Sequence, residues 1–273
     1  MENYDKTRTV KPLFDEKETV RRKAPVAVMD SGVGGICVLR ELRRLLPREQ
    51  LLYFGDSANA PYGARSAEEV RALVLSNAQR LLAECKALVV ACNTATALCI
   101  EELRCRYPTV PIVGMEPALR PALQVGRTPR VLVLATPITL REARFAALLQ
   151  KCEKTAHVCP ISAPDIVHFV EKGQEDSPEL VRYLEALLAP CRKPVPDAVV
   201  LGCTHFSFAR RAILRALGAQ VPTFDGALGT ARELARRLRE GGLENPEPAR
   251  GAVRLTSSAP GVLPFYARLL FAE

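Results

Sequence analysis

Two short runs carry most of the chemistry in this chain. ACNT (91–94) and GCTH (202–205) each lead a thiol off the end of an apolar stretch, KALVV in the first and PDAVVL in the second. Where such a stretch is a strand followed by a helix, the helix N-terminus offers unpaired N–H groups and a positive dipole end, which lower a thiol's pKa and bind carboxylates. Cys92 and Cys203 could each serve as a nucleophile or a base. Asp30, closing PVAVMD, and His205, just past Cys203, are able to relay or orient protons. Ser31, Asn93, Thr94 and Thr204 are small donors suited to a carboxylate and an ammonium. Two matched thiols facing one substrate suit a nearly symmetric reaction such as racemisation, in which one group removes an α-proton and the other donates from the opposite face. Gene duplication alone would also leave two similar strand ends.

The elements that must position these residues follow from hydrophobic period. Short apolar runs predict strands over Val26–Asp30, Leu51–Phe54, Ala87–Ala91, Ile112–Gly114, Val131–Ala135, Ala198–Leu201, Val221–Phe224 and Val253–Thr256. Amphipathic runs predict helices between them, among them Ser66–Glu84, Ser177–Leu188 and Val262–Phe271. This alternation is the pattern of an α/β protein with mostly parallel sheets. A weak internal repeat runs through it: PVAVMDSG ends at Asp30 and Ser31 ahead of Cys92, and RVLVLATPIT ends at Thr136 ahead of Cys203. In open α/β sheets chemistry sits beyond the carboxyl ends of the strands, where both thiols fall.

Composition removes several other classes. The 273 residues have 48% hydrophobic and 25% charged side chains, ordinary for a globular chain and wrong for disorder or a coiled coil. The net charge of +8 permits nucleic-acid binding, yet the 38 Lys and Arg are dispersed. Their densest later cluster, RELARRLRE from Arg232, interleaves acids at helical spacing, as a solvated helix face does. The expectation is a small-molecule substrate, with no nucleic acid and no membrane: no apolar stretch is long enough to span, and the start lacks an apolar leader, which places the chain in the cytoplasm. Nine cysteines without a CxxC, and three histidines without metal-ligand spacing, argue against a disulfide scaffold or a metal site, so no metal is expected. The other seven cysteines read as core residues. DSGVGGICV lacks the last glycine of a dinucleotide fingerprint, Cys37 standing in its place, so Gly32, Gly34 and Gly35 read as a tight strand-to-helix turn. Lys86 lies at the wrong end of its strand for a pyridoxal Schiff base. No cofactor is expected.

The same residues carry a resemblance. DSGVGGICVLREL (30–42), YFGDSANAPYGARS (53–66), VVACNTATA (89–97), GMEPALRPA (114–122), VLATPITLRE (133–142) and LGCTHFSF (201–208) resemble the successive motifs of glutamate racemases, in order, over roughly Pro25 to Glu273. The resemblance implies two pseudo-symmetric α/β domains with the active site at their interface. The corresponding division is residues 25–116 completed by 226–273, residues 117–225, and an N-terminal extension over 1–24. It implies cofactor-free interconversion of L- and D-glutamate for peptidoglycan, with Cys92 and Cys203 as the acid/base pair and Asp30 and His205 beside them. Substrate contacts would come from Asp30, Ser31, Tyr62, Gly63, Asn93, Thr94, Thr136, Thr204 and His205. By itself Tyr62 could equally be a packed turn aromatic. The family often has an acid in a CP…VE-x-G stretch; here CPISAPDIVHFVEKG (159–173) holds extra residues, leaving Glu171, Asp165 or His168 for that position. A homodimer is a further implication. Two readings compete: a racemase of aspartate or another amino acid in the same superfamily, and a silent ligand-binding regulator, for which two retained thiols would have no use.

Overall fold

A computed structural model describes residues 16–152 and 155–271. In chain order its strands are β1 (Val26–Asp30), β2 (Leu51–Gly55), β3 (Ala87–Val90), β4 (Ile112–Gly114), β5 (Arg130–Ala135), β6 (His157–Ser162), β7 (Ala198–Leu201), β8 (Thr223–Asp225) and β9 (Val253–Ser257). The helices are α1 (Glu16–Lys23), α2 (Ile36–Leu45), α3 (Ala67–Leu82), α4 (Asn93–Arg106), α5 (Leu119–Ala122), α6 (Pro137–Arg141), α7 (Ala143–Cys152), α8 (Asp165–Glu171), α9 (Pro178–Leu188), α10 (Arg210–Leu217), α11 (Ala227–Glu240) and α12 (Leu263–Phe271). The N-terminal extension is described only from residue 16, where it forms α1; residues 1–15 lie outside the described residues.

The strands form two wholly parallel sheets, ordered β4-β3-β1-β2-β9 and β6-β5-β7-β8. Strands β1, β3 and β7 are buried along their whole length, as parallel strands covered by helices on both faces must be. Leaving β9 aside, the two sheets have one winding: the second strand lies on one side of the first, and the third and fourth on the other. The order therefore reverses between β1 and β3 and again between β5 and β7, and a crevice opens beyond the carboxyl ends of each such pair. The repeat seen in the sequence is visible in the hydrogen bonds: Ala91 N–H donates to the Met29 carbonyl at 2.8 Å, and Gly202 N–H donates to the Leu134 carbonyl at 2.7 Å. On that alignment Ser31 matches Thr136 and Cys92 matches Cys203, whereas Asp30 faces Ala135 and His205 faces Thr94. The two halves share geometry and differ in their charged groups.

Two sequence expectations are corrected. The strand expected at Val221–Phe224 lies at Thr223–Asp225. Strand β6 was not expected at all, because Pro160 lies within it and its side chains are largely exposed or half-buried. Proline is tolerated there because β6 is an edge strand, paired only with β5. Elsewhere local signals hold: Ser66 and Glu69 close a reciprocal capping box on α3, and the basic run of α11 is paired internally, Arg236 with Glu233 and Glu240, and Arg237 with Glu233. Among the described residues no helix is long and apolar enough to cross a membrane, and no group of three or more side chains could hold a metal ion.

At the amino ends of the strands a buried ion pair ties four segments together. Lys86 Nζ meets Glu49 Oε2 at 2.6 Å with both side chains nearly solvent-free. Lys86 also donates to the Arg22 carbonyl at the end of α1, and Glu49 Oε1 accepts from the Asn245 N–H on the segment leading back to β9. Burial pulls the Lys86 ammonium below its ordinary value and Glu49 opposes that shift. Removing one partner strands the other charge in the interior, so Lys86→Ala is expected to cost about 3–5 kcal/mol in denaturant unfolding. A Lys86→Met, Glu49→Met double variant removes the stranded charge but takes these partners from the Arg22 carbonyl and the Asn245 N–H, so it should recover part of that loss.

Candidate active site

The carboxyl ends of the two sheets face one another, and hydrogen bonds cross between them. The Thr204 hydroxyl donates to Asp30 Oδ2 at 3.1 Å, the Thr94 and Thr136 hydroxyls lie 3.1 Å apart, and the Val33 N–H donates to Glu171 Oε1 at 2.9 Å. Asp30, Ser31, Tyr62, Asn93, Thr94, Thr136, Thr204 and His205 are all buried, and Cys92 and Cys203 are only 6% and 8% exposed. Both thiols are therefore almost shut off from solvent where the two sheets meet.

Each side chain has a local reason for its place. Cys92 is the N-cap of α4, so its sulfur sits at a true helix N-terminus. Cys203 differs from the expectation: the segment after it is a four-residue 3-10 turn, Thr204–Ser207, and α10 begins only at Arg210. Charge near that sulfur comes instead from His205, whose Nδ1 lies 3.8 Å from Cys203 Sγ and whose Nε2 lies 2.6 Å from Glu171 Oε1. Of the three candidates in residues 159–173, Glu171, at the end of α8, makes this contact, and neither Asp165 nor His168 does. On the first half Asp30 Oδ1 accepts the Gly32 N–H at 3.0 Å. Tyr62 is fixed through its hydroxyl, which donates to Asp56 Oδ2 at 2.7 Å, and Asn59 and Asn77 donate to the same carboxylate. Gly63 lies against Thr136: a Cβ there would sit 3.2 Å from the Thr136 Cβ.

The electrostatics separate the two thiols. Burial, then the nearby Asp30 carboxylate, raise Cys92 to about 12, with Cys203 adding to the rise. At neutral pH Cys92 is a thiol. Burial opposes a charge on His205, but its hydrogen bonds to Cys203 and Glu171 outweigh that and hold it well above its ordinary value. Burial likewise opposes charge on Glu171, and the contact with His205 still brings its pKa below the ordinary value. Asp30 is raised, chiefly by burial, against the pull of His205. The imidazole thus lies beside one sulfur and the Asp30 carboxylate near the other.

The pair His205 and Glu171 also makes stability depend on pH. A raised histidine stabilises the fold fully below its unfolded value of 6.5 and loses that contribution as pH rises through the raised value. A lowered carboxyl stabilises above 4.5 and loses it as pH falls through the lowered value. The difference in Tm between the unmodified protein and Glu171→Gln is therefore expected to be greatest between pH 4.5 and 6.5 and to shrink on both sides. A difference that grew into the alkaline range would contradict the pairing.

Asn93, expected from the sequence as a substrate contact, has an open carboxamide. Both polar ends of its carboxamide are buried without a hydrogen-bond partner among the described residues. A buried donor and acceptor left open costs free energy unless a ligand meets them. Asn93 also lines a cavity of about 250 Å³ with Glu116, Arg120, Thr139, Phe145 and Lys151, of which neither thiol is part. Asp56, Asn77 and Glu171 were hidden or ambiguous in the sequence because each acts through another residue brought near it only by the fold.

Comparison with known proteins converges on one family. The Asp/Glu/Hydantoin racemase signature matches residues 35–234. A glutamate racemase of Clostridium botulinum is 39% identical over 239 residues, covering 87% of this chain and 93% of that protein. Among solved structures, a glutamate racemase isoform of Bacillus anthracis superposes with a TM-score of 0.77 at 31% identity, covering 87% of this chain and 90% of that one. The Escherichia coli glutamate racemase, solved with L-glutamate and the activator UDP-MurNAc-ala, gives a TM-score of 0.76 at 28% identity, covering 90% of this chain and 95% of that one.

Proposed function

Because the chain belongs to the Asp/Glu/hydantoin racemase family, and is on that ground an amino-acid racemase, we propose that it interconverts L- and D-glutamate through two opposed cysteines. The D-glutamate it makes would be used in peptidoglycan. The observation that carries the reading is the pair of buried sulfurs at matched strand ends, one beside an imidazole tied to Glu171 and the other a helix N-cap beside Asp30.

In the L-to-D direction Cys203, supported by charged His205, takes the α-proton, and the Cys92 thiol delivers a proton to the other face. The reverse direction exchanges these roles. Between the two transfers the substrate is a carbanion, and the open Asn93 carboxamide with the Ser31, Thr94, Thr136 and Thr204 hydroxyls are the groups suited to hold its α-carboxylate and ammonium. Asp30, already engaged by Gly32 and Thr204, keeps the first loop in place near Cys92.

Racemisation assayed by chiral chromatography tests this. Protein treated with chelator and freed of pyridoxal phosphate is expected to racemise glutamate at an undiminished rate. A requirement for added metal or cofactor would remove the two-thiol mechanism as the full account. Aspartate is one methylene shorter, a difference that packing discriminates by about 1–3 kcal/mol. Equal or better turnover of aspartate would replace glutamate as the substrate.

A further inference from the structure

The peptide unit between Gly32 and Val33 is gripped from both sides. Its carbonyl accepts from the Tyr53 hydroxyl at 2.6 Å, and its N–H donates to Glu171 Oε1 at 2.9 Å. A trans peptide is planar and points its C=O and N–H in opposite directions, so these two contacts fix one plane. The same Glu171 oxygen meets His205 Nε2, and His205 Nδ1 faces the Cys203 sulfur. Phenol, peptide, carboxylate, imidazole and sulfur form a single chain that begins on β2 in one half and ends beyond β7 in the other.

The surroundings are built around the first link. Tyr53 is fully buried, and burial, then Asp30, push its phenol well above its ordinary value, so it stays a donor. Its ring is held edge-on by Tyr266, with centroids 5.4 Å apart. Two glycines leave the space: a Cβ on Gly35 would come within 3.1 Å of the Tyr53 ring, and a Cβ on Gly55 within 2.6 Å of the Gly32 oxygen. Linked hydrogen bonds polarise one another, so a donor on the carbonyl strengthens the N–H at the far side of the same peptide.

We propose that Tyr53 is a positioning residue for the Cys203 half of the reaction, acting through the Gly32–Val33 peptide and Glu171 on His205. The proposal rests on the two-thiol reading above. Hydrogen bonds and polar contacts run from Tyr53 without a break to the Cys203 sulfur. Towards Cys92 they run through the Gly32 N–H to Asp30, and among the described residues no hydrogen bond joins Asp30 to that sulfur, so the loss of Tyr53 is expected to fall mainly on one half-reaction. Overall racemisation cannot show this, because two enantiomers are equally stable and kcat/KM must fall equally in both directions.

A half-reaction can. With a glutamate analogue carrying a leaving group on its β-carbon, removal of the α-proton expels that group with its electron pair, and the resulting enamine hydrolyses to a keto acid and ammonium. No proton need be returned to the α-carbon. Tyr53→Phe is expected to lower elimination from the L analogue by ~10-fold or more and from the D analogue by less than ~3-fold. Nitrogen-15 spectra of histidine-labelled protein, which has only three histidines, should show His205 moving from imidazolium towards the neutral ring. Tyr266→Phe keeps the ring pair and loses the hydroxyl's contacts with Ser57 and Ser257, so it should lower Tm without favouring either enantiomer or moving the His205 signal. Equal losses from both enantiomers in Tyr53→Phe, or an unmoved His205 signal, overturn the proposal. If the unmodified protein neither racemises glutamate nor eliminates, the two-thiol reading falls by itself, and the His205 signal alone decides whether Tyr53 governs the imidazole.

Discussion

Replacing either Cys92 or Cys203 with serine is expected to lower glutamate racemisation by at least ~10²-fold, since a hydroxyl lacks a pKa suited to proton transfer. The two variants should nonetheless be distinguishable. Elimination from a β-substituted analogue needs only the first proton transfer, so Cys92→Ser should still process the L form and Cys203→Ser the D form. The basis is the proposed placement of the sulfurs on opposite faces of the substrate, so that each meets the α-proton of one enantiomer. Cys92, raised to about 12, must first lose its proton, and elimination from the D form is expected to be the slower of the two. During one turnover in heavy water, deuterium should enter the product isomer preferentially, because the donating thiol exchanges with solvent. Near-normal racemisation by either variant would remove that thiol from the mechanism, and loss of both eliminations in both variants would mean that the sulfurs do not work as independent bases.

The second large effect is expected from a single methyl group. A Cβ on Gly34 would lie 2.3 Å from Thr204 Oγ1 and 2.5 Å from His205 Nδ1. Both side chains are buried and engaged, Thr204 with Asp30 and His205 with Glu171, so neither can yield without loosening the contact between the halves. Displacing acid/base groups by about 1 Å costs on the order of 10²-fold in rate. Gly34→Ala should therefore lose about that much in kcat/KM while its far-ultraviolet circular dichroism stays that of the parent. Gly229→Ala is the control: nothing lies within 4 Å of the added carbon, and a helical alanine in place of glycine should hold activity and raise stability by about 0.4–1 kcal/mol. Comparable activity losses in both variants would show that glycine replacement, and not crowding of Thr204 and His205, is responsible.

How much of this was legible in the sequence depended on whether the signal was local. ACNT and GCTH stand at strand ends where the hydrophobic run stops, and the parallel α/β pattern made those ends a place for chemistry. The runs from Val26, Ile112 and Ala198 became strands with the expected limits. Strand β6 was not legible because its stability comes from pairing with β5, a non-local fact, while Pro160 argued against it locally. Glu171 was ambiguous for a related reason. The residues between Cys159 and Glu171 include the end of β6 and most of α8, and only once that strand is placed does the helix deliver Glu171, not Asp165 or His168, to His205. Tyr53 looked like any core aromatic of an apolar strand. Its hydroxyl acquires a role only where the Gly32 carbonyl turns towards it. The helix expected directly after Cys203 proved to be a short 3-10 turn, and His205 supplies there what a helix end supplies at Cys92.

The late return of the chain to its first sheet has a consequence for how the protein is made. The four strands of the second sheet are continuous in sequence, β5 to β8, whereas the first sheet waits for β9, and Ser57 waits for Tyr266 on the final described helix. Synthesis proceeds from the amino end, and domains fold as units when their residues have emerged. The inner half can therefore close on the ribosome while the outer half still lacks an edge strand and the ring that backs Tyr53. Both sulfurs are translated well before β9 and α12, the elements that complete the first sheet and back the Tyr53 ring.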